Sequence, residues 1–517
     1  MDSSRITRFF GFPWHPILLA AYAVLSLYAH NVSEINFSEA LRALLVSLAF
    51  ASLVLGICWL TLKDRQKAAL IASLILILFY SYGHIYNFLV GWGSLGLAVS
   101  RHRYLIPAFM ACFIGGTVLL LRVKGGLREG TYTLNLILVT ALLIPLFQIS
   151  LYGYQLRQAT PAASAVGLEI VHLQAGVTSP DIYYLILDAY ARDDVLQDFY
   201  HYDNTSFLEN LEALGFFVAR CSQSNYAHTR LSLVSSLNMD YIPSLGDSYT
   251  EDQVSRAGLE AKIKHSEVRR LLESLGYQTV AFESGFGWTQ IEDAALYLSP
   301  GTTVLNRMRS IGGLNDFELL LLKTSAGLVY IDGLITYQGF LQPGLEYPNL
   351  IHRNRVLFVL DQLVELPAIP GPKFIFAHIV SPHPPYVFSP ERERLHPPDS
   401  ESEGYRDQVA YLNSRLIAQL QKIISESSTP PVIVLQADHG GVNTSSNDRM
   451  AILNAYYLPD PGKDRVYAGI TPVNTFRLIF NAYFKADFEL LEDTSYYSGY
   501  EFPYRFTQVQ DKRPDCP

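Results

Sequence analysis

Cysteine is scarce in this sequence, with four in 517 residues. Four cysteines are too few for a disulfide-rich scaffold or for a zinc site built from cysteines. Cys58 and Cys112 lie inside apolar runs, which leaves Cys221 and Cys516 in the polar part of the chain. A bond between these two is possible, although the argument for it is only that they are left over.

An excess of basic residues is also missing. The 39 lysines and arginines are outnumbered by 48 aspartates and glutamates, which gives a formal net charge of −9. A nucleic-acid-binding protein would present a basic face, so the composition argues against nucleic acid as a partner. The sequence shows no internal repeat, and its length suggests more than one domain.

Long apolar runs, by contrast, fill the first third of the chain. Five of them cover roughly residues 17–30, 41–62, 68–90, 104–121 and 134–154. The middle three reach the length of about 20 residues that a membrane helix needs. The first is shorter and could be a signal-like anchor, but it lacks a recognisable cleavage site, so we expect it to be retained. We therefore expect a transmembrane domain of about five helical spans over residues 1–154.

Basic residues between the runs predict the orientation. They cluster before the first run, after the second and after the fourth, at Arg5, Arg8, Lys63, Arg65, Lys67, Arg122, Lys124 and Arg128. Cytoplasmic loops carry such an excess, so the N-terminus should be cytoplasmic and everything after residue 154 should lie outside. Arg101 and Arg103 argue the other way. We expect a multi-pass protein of the plasma or inner membrane with an extracytoplasmic C-terminal domain.

The character of the sequence changes near Pro180, after a connector at 155–179. Strand patterns at 181–187, 216–220, 277–282, 374–379 and 431–437 then alternate with helical patterns at 204–214 and 266–275. This alternation predicts a mainly parallel sheet flanked by helices, so we expect an α/β domain over residues 180–517. Residues 285–372 are less legible and could hold insertions that shape a substrate pocket.

Three of these strands lead into residues that bind metals or transfer protons. Asp438 and His439 follow the strand at 431–437, and Asp188 follows the strand at 181–187. The strand at 374–379 contains His378 and leads to His383. Ligands collect at the carboxyl ends of parallel strands, so convergence on one metal is plausible. Taken alone, the Asp438-His439 pair would equally suit an ordinary polar turn.

A hydroxyl residue, Thr229, opens a predicted helix in which Leu233 and Leu237 face inward. Free backbone N–H groups at a helix start attract phosphate or sulfate. The simpler explanation is that Thr229 only caps the helix.

Together these elements resemble the alkaline phosphatase superfamily. The resemblance rests on Asp188 at a strand end, the Thr229-x-x-Ser232 helix start, the Ser-Pro-His-Pro-Pro-Tyr loop around His383, and Asp438-His439-Gly-Gly. They are most similar to the sulfatase-like branch of membrane-anchored enzymes, which includes lipoteichoic acid synthases and phosphoethanolamine transferases. The resemblance covers about residues 180–484, and five spans before an external catalytic domain also match these groups.

The resemblance implies one divalent metal, zinc or manganese, held by Asp188, Thr229, Asp438 and His439. It implies that Thr229 is the nucleophile and that His383 contacts the substrate phosphate. His378 is a further candidate for substrate binding, with a role that depends on the side to which it points. Asp193, Asp194 and His228 are candidates for supporting the ligands, although solvated loops would explain them equally well.

Two departures narrow the choice within the superfamily. Sulfatases carry Cys-x-Pro-x-Arg, whereas Cys221-Ser-Gln-Ser-Asn lacks both the proline and the arginine. The two-metal phosphatases need an Asp-x-x-x-His element and another histidine, which we do not find between residues 285 and 438. A single metal is therefore expected.

The chemistry also follows from the residues themselves. A metal held beside Thr229 would activate a hydroxyl that is otherwise a poor nucleophile. Attack would give a phospho-threonine, resolved by an acceptor hydroxyl or by water, and His383 could protonate the leaving oxygen. We expect a transferase that moves a phosphoryl-linked group from a lipid donor to an envelope glycan or lipid. The alternatives are a membrane-tethered phosphate or sulfate ester hydrolase and a non-catalytic membrane scaffold. The sequence does not indicate the oligomeric state.

Overall fold

The computed structural model describes residues 11–159, 179–300, 315–331, 347–511, 513 and 516, with short gaps at 36, 93–95, 97–98, 126, 247–248 and 395–397. The chain forms two compact units. The helical unit comprises Met1–Tyr154 and Gly312–Pro348, and the α/β unit comprises Gln155–Ile311 and Asn349–Pro517. Most of the expected connector and part of the 285–372 stretch lie outside the described residues, so the boundaries proposed from the sequence stay predictions.

Five apolar helices follow one another in the helical unit. They are α1 (His15–His30), α2 (Phe37–Leu62), α3 (Arg65–Val90), α4 (His102–Arg122) and α5 (Leu127–Ala159). Four of them, α2 to α5, are long and apolar enough to cross a membrane, whereas α1 has 16 residues. We expected about five spans. The described residues contain four helices of sufficient length and one shorter apolar helix, α1. Asp64 fixes the turn between α2 and α3, since its carboxylate accepts hydrogen bonds from the first-turn amides of Gln66 and Lys67.

A seven-stranded sheet organises the α/β unit, in the order β2-β9-β8-β1-β5-β3-β4. Its strands are β1 (Ile182–Leu187), β2 (Phe217–Val218), β3 (Gln278–Phe282), β4 (Leu296–Leu298), β5 (Lys373–Ile379), β8 (Val432–Ala437) and β9 (Asn454–Tyr457). The five strands from β8 to β4 are mutually parallel, and β9 pairs antiparallel with both β8 and β2. The expected α/β fold with a mainly parallel sheet is therefore confirmed. Short strand pairs β6–β7 (Phe388–Ser389, Arg392–Glu393) and β10–β11 (Ser495–Tyr497, Thr507–Val509) stand apart from it.

Helices cover both faces of the sheet. They are α6 (Asp193–Asp198), α7 (Thr205–Ala213), α8 (Thr229–Asn238), α9 (Ala257–Lys264), α10 (Glu267–Ser274), α12 (Tyr347–Leu363), α13 (Glu401–Glu426) and α14 (Pro472–Tyr483); α11 (Asp316–Thr324) belongs to the helical unit. Every residue of β1, β5 and β8 is buried, which explains why these strands are apolar throughout instead of alternating with polar residues. Tyr183 and Leu185 face the core that includes α7 and α13, whereas Tyr184 and Ile186 face the core that includes α8 and α14.

Candidate metal centre and nucleophile

The pairing of β1 with β8 places the three acidic and imidazole groups together. The two strands are parallel and in register, with Leu187 opposite Ala437, so Asp188 and Asp438 leave the sheet side by side. His439 follows directly. Next to it, Gly440 is required by crowding, because a Cβ there would lie 2.6 Å from the carbonyl oxygens of Asp448 and Ala451.

Asp188, Asp438 and His439 offer ligand atoms that all lie within 4.8 Å of one another. All three side chains are buried. One carboxylate oxygen of Asp438, Oδ1, accepts a hydrogen bond from the Ala189 amide at 3.1 Å. Its Oδ2 and Asp188 Oδ1 have no hydrogen-bond partner among the described residues. Two buried carboxylate oxygens without donors are costly to keep unless a cation lies between them.

The imidazole of His439 fits the same interpretation. Its Nδ1 lies 2.8 Å from the carbonyl oxygen of Gly440, so the proton is on Nδ1 and the lone pair is on Nε2. Nε2 lies 3.5 Å from Asp438 Oδ2 and 3.7 Å from Asp188 Oδ1. A lone pair and two carboxylate oxygens therefore converge, which is a donor set suited to zinc or manganese. The residues present fit a divalent metal.

Electrostatics keep these groups in the states that bind metal. Burial would raise the pKa of Asp188, but the nearby imidazoles, chiefly those of His383 and His378, outweigh it and lower that pKa below its usual range. Burial lowers the pKa of His439, with the charge of Arg449 acting in the same direction. Asp188 is thus ionised and His439 neutral at neutral pH, as ligation requires.

Thr229 is the first residue of α8, and His228 occupies the N-cap position. The simpler explanation considered above, that Thr229 serves as the cap, is therefore wrong. His228 makes no side-chain capping bond either; its Nε2 lies 2.9 Å from the carbonyl oxygen of Ser498. The Thr229 hydroxyl is accordingly not committed to capping the helix.

The start of α8 is tied to the strand end that carries Asp438. Ser224 Oγ bonds the Asp438 carbonyl oxygen and lies 3.1 Å from the Ser232 hydroxyl. Ser232 is buried, and its hydroxyl oxygen accepts the contact from Ser224. Arg449 donates through Nε to the Ala227 carbonyl at 2.8 Å, two residues before Thr229. These contacts connect the segment before α8, and Ser232 in its first turn, to Asp438 and Arg449.

His378 and His383 approach Asp188 from β5. The strand continues unbroken through His378, which shares a face with Phe374 and Phe376, and its Nε2 lies 3.3 Å from Asp188 Oδ2. Its ring packs near Trp288, with 5.9 Å between centroids. This arrangement suits a group that supports Asp188 better than one that reaches a substrate.

The loop that carries His383 is held from two sides. The His383 amide donates to the Asp188 carbonyl at 3.1 Å. From α13, the buried amide of Gln408 donates to the carbonyls of Pro382 and His383. His383 is therefore anchored beside the cluster by its backbone, while its imidazole is half-buried at the edge.

The three supporting candidates have other partners. Asp194 forms an ion pair with the buried Arg192, and Asp193 forms one with Arg513. His228 bonds Ser498, as described above. Asp193 therefore ties the C-terminal segment to α6, whereas Asp194 fixes the guanidinium of Arg192.

The C-terminal segment is fastened by a disulfide between Cys221 and Cys516. Arg192 also holds this segment, since its guanidinium donates to both carboxylate oxygens of Asp511 at 2.6 and 2.8 Å. The pairing that the sequence left open is thus present.

Sequence reasoning missed two residues near the cluster. Arg449 places Nη2 3.3 Å from His439 Nε2 and forms no ion pair in the described part of the chain. His352, on α12, is buried, and its Nε2 has no hydrogen-bond partner among the described residues. No sequence motif indicates either residue. Arg449 follows His439 by ten positions, and only the folded loop shows that the two side chains are in contact.

Among known proteins, this chain matches only a set of solved structures in the comparisons made. No family model and no curated protein matches the chain. The C-terminal periplasmic domain of EcEptC from Escherichia coli is 13% identical and covers 67% of this chain and 96% of its own, with a TM-score of 0.40. The integral membrane lipooligosaccharide phosphoethanolamine transferase A of Neisseria meningitidis is 11% identical and covers 93% and 96%, with a TM-score of 0.38. An alkaline phosphatase superfamily protein from Vibrio parahaemolyticus is 10% identical and covers 67% and 81%, with a TM-score of 0.34.

Proposed function

We propose that this chain is a membrane-anchored, metal-dependent enzyme that transfers a phosphoryl-linked group from a lipid donor to a glycan or lipid of the cell envelope. The observation that carries the proposal is the convergence of Asp188, Asp438 and His439 within 4.8 Å. Arg449 contacts both His439 and the carbonyl of Ala227, two residues before Thr229. A non-catalytic scaffold would have no need for two buried carboxylate oxygens without donors.

The metal would be held by Asp188, Asp438, His439 and the Thr229 hydroxyl. When bound, it would supply a Lewis acid that lowers the pKa of the Thr229 hydroxyl and offsets the negative charge of the phosphoryl oxygens. Free N–H groups in the first turn of α8 provide further donors to the same oxygens.

The reaction would divide into two displacements. The Thr229 hydroxyl would lose its proton to solvent, its oxygen would form a bond to phosphorus, and the bond from phosphorus to the donor oxygen would break. That donor oxygen takes up a proton, for which His383 is the candidate acid. The acceptor hydroxyl would then give its proton to the deprotonated His383 and attack phosphorus. The bond from phosphorus to the Thr229 oxygen would break, and that oxygen would take up a proton from solvent. Water in place of the acceptor would make the same enzyme a hydrolase, which is the second candidate.

Arg449 supports an anionic substrate. It lies beside both His439 and the start of α8, and no carboxylate in the described part of the chain neutralises it. A guanidinium in this position suits the non-bridging oxygens of a phosphoryl group.

The membrane and the compartment are part of the proposal. Four helices can span a membrane, and basic residues concentrate in the turns on one side of them. The Cys221–Cys516 disulfide supports an oxidising, extracytoplasmic location for the α/β unit. A donor embedded in the lipid would then be available to the enzyme by lateral diffusion.

Trapping the intermediate tests this proposal. The purified full chain would be exposed briefly to an aryl phosphodiester with a good leaving group, quenched in acid and mapped by peptide mass spectrometry. We expect the added mass on Thr229. Mass spectrometry of envelope lipids and glycans with and without the gene would then identify the donor and acceptor. No adduct, together with full turnover by Thr229→Ala, would rule out the mechanism.

A further inference from the structure

A helix from the middle of the α/β half of the sequence packs into the helical unit. Helix α11 lies between β4 and α12 in the chain, yet Gly312–Pro348 cluster with Met1–Tyr154. The chain therefore leaves the α/β unit, adds one helix to the helical unit and returns.

Charge anchors the beginning of α11. Glu318 is 8% exposed and pairs through both carboxylate oxygens with Arg42 of α2, which donates from Nε and Nη2. The same carboxylate accepts the Asn315 amide, and Asn315 accepts the Glu318 amide at 2.8 Å, which completes a capping box. Asn315 also donates to the Glu39 carbonyl at 2.9 Å. A buried carboxylate that caps one helix and pairs with another fixes their mutual register.

The backbone of α11 approaches α3 too closely for any side chain to intervene. A Cβ on Gly83 would lie 2.3 Å from the Lys323 carbonyl oxygen and 2.7 Å from Thr324 Cα. Just past α11, the Ala326 amide donates to the carbonyl of Phe79 at 2.7 Å. Glycine at position 83 is therefore required by the packing of α11, and the contact is specific.

Apolar burial supplies the rest of the contact. Phe317 has no exposed surface and packs with Val24, Tyr28, Ala40 and Ala43 of α1 and α2. Its ring meets that of Tyr28 edge-on at 6.2 Å between centroids. A helix that merely rested on a lipid surface would leave Phe317 and Glu318 facing lipid or water, which their burial within protein contradicts.

We infer that α11, by packing inside the helical unit, holds the portion of the chain that follows residue 178 non-covalently to the helices that precede residue 160, in addition to the covalent link that follows α5. The element is an intramolecular docking helix, its partner is the surface formed by α1, α2 and α3, and Arg42–Glu318 specifies the pairing. This inference stands apart from the proposed function, because it uses no residue of the metal centre.

Cutting the covalent link in the intact protein tests the inference. A protease site would be placed within residues 160–178 of the full chain, which carries an N-terminal tag and is purified in a mild detergent. After cleavage, we expect the C-terminal fragment to stay with the tagged fragment. Glu318→Arg should lower the retained fraction by at least about tenfold, because it sets two positive groups against each other and removes the carboxylate that caps α11.

Charge exchange separates a specific contact from simple misfolding. The double variant Arg42→Glu/Glu318→Arg should recover most of the lost retention but not all of it, because it restores the ion pair and not the bond from the Asn315 amide. Glu365→Arg, which reverses an exposed partner of Lys422 in the α/β unit, is the matched control and should change nothing. Fragments that separate after cleavage of the wild type, or a Glu318→Arg chain retained like the wild type, would overturn the inference. If the double variant retained no more of the C-terminal fragment than Glu318→Arg, the Arg42–Glu318 pair would not be what specifies the contact, and the inference would lose its main support.

Discussion

The guanidinium of Arg449 lies 3.3 Å from Nε2 of His439, the atom whose lone pair faces the two carboxylates. This contact sets a positive side chain at the rim of a site that is proposed to hold a metal. The two carboxylates of Asp188 and Asp438 would balance the two positive charges of the metal. The charge of Arg449 would then be available to the anionic substrate.

Replacing Arg449 by methionine should therefore weaken the binding of the anionic substrate while leaving the metal in place. A hydrogen bond to a charged group is worth about 1.5–3 kcal/mol, so we expect kcat/KM to fall roughly 10- to 100-fold. Arg449→Lys should recover part of the loss, since it restores the charge without the two-pronged geometry. Steady-state kinetics and metal analysis of both variants provide the check, and equal activity in all three proteins would refute the role.

Metal content is the direct test of the cluster. The full chain purified in detergent should retain about one equivalent of zinc or manganese, as expected of one closed site. Asp188→Ala and Asp438→Ala should each lose it, because a small ligand set tolerates no missing member. Asp361→Asn, at an exposed carboxylate on α12, is the control. Elemental analysis that finds the same metal in every variant would place the site elsewhere.

The nucleophile prediction separates Thr229 from the serine one turn later. Thr229→Ala should abolish turnover without a large loss of stability, since the hydroxyl does not cap α8. Thr229→Ser should keep partial activity because it retains the oxygen. Ser232→Ala should remain active and lose about 1 kcal/mol of stability, because it breaks the contact with Ser224. A phosphate adduct mapped to Ser232 would contradict the assignment.

The pH dependence of stability should report on His352. Burial lowers the pKa of this imidazole to about 3, with Arg355 and His383 acting in the same direction and Asp188 opposing them. The folded protein therefore keeps His352 neutral while the unfolded chain, with a pKa near 6.5, takes up a proton. The contribution of His352 to the free energy of unfolding should therefore be fully present above a pH of about 6.5. Below that pH, the free energy of unfolding should fall by up to about 1.4 kcal/mol per pH unit. In His352→Gln the free energy of unfolding should depend less steeply on pH than in the wild type, as measured by thermal unfolding at several pH values. The same pH dependence in both proteins would contradict this prediction.

The disulfide should stabilise the C-terminal segment. Cys516→Ser should lower the free energy of unfolding by roughly 2–5 kcal/mol, because the terminus that carries Asp511 is then free to leave Arg192. Cys112→Ser, at an unpaired cysteine, should have little effect. Thermal unfolding with and without reductant distinguishes the two, and a reductant-insensitive wild type would argue against the bond.

The sheet could be predicted from the sequence because its central strands are buried on both faces and therefore apolar throughout. Tyr183 to Leu187 and Val432 to Ala437 show this pattern, and their parallel register follows from the alternation with helices. Asp188, Asp438 and His439 were predictable for the same reason, since each follows a strand directly. Helix α13 was not predicted, although it runs from Glu401 to Glu426 and supplies Gln408.

Long-range contacts explain what the sequence could not reveal. Arg449 reaches His439 because the intervening loop folds back, and His352 joins the site from a helix preceded by residues with no clear pattern. Helix α11 carries leucines that suit a soluble core as well as a membrane unit. The contacts of Glu318 with Arg42 and of Phe317 with Tyr28 reveal which one receives it.

Helix α11 also imposes an order on the biogenesis of the protein. The helices of Met1–Tyr154 leave the ribosome first, and the whole of Gln155–Ile311 is synthesised before α11 emerges. Until then the surface that buries Phe317 has no occupant, so the membrane part cannot reach its final packing during its own insertion. A chain that stalls before residue 316 would lack the contacts of Phe317 and Glu318 with α1 and α2, so its apolar helices would be left with an uncovered surface.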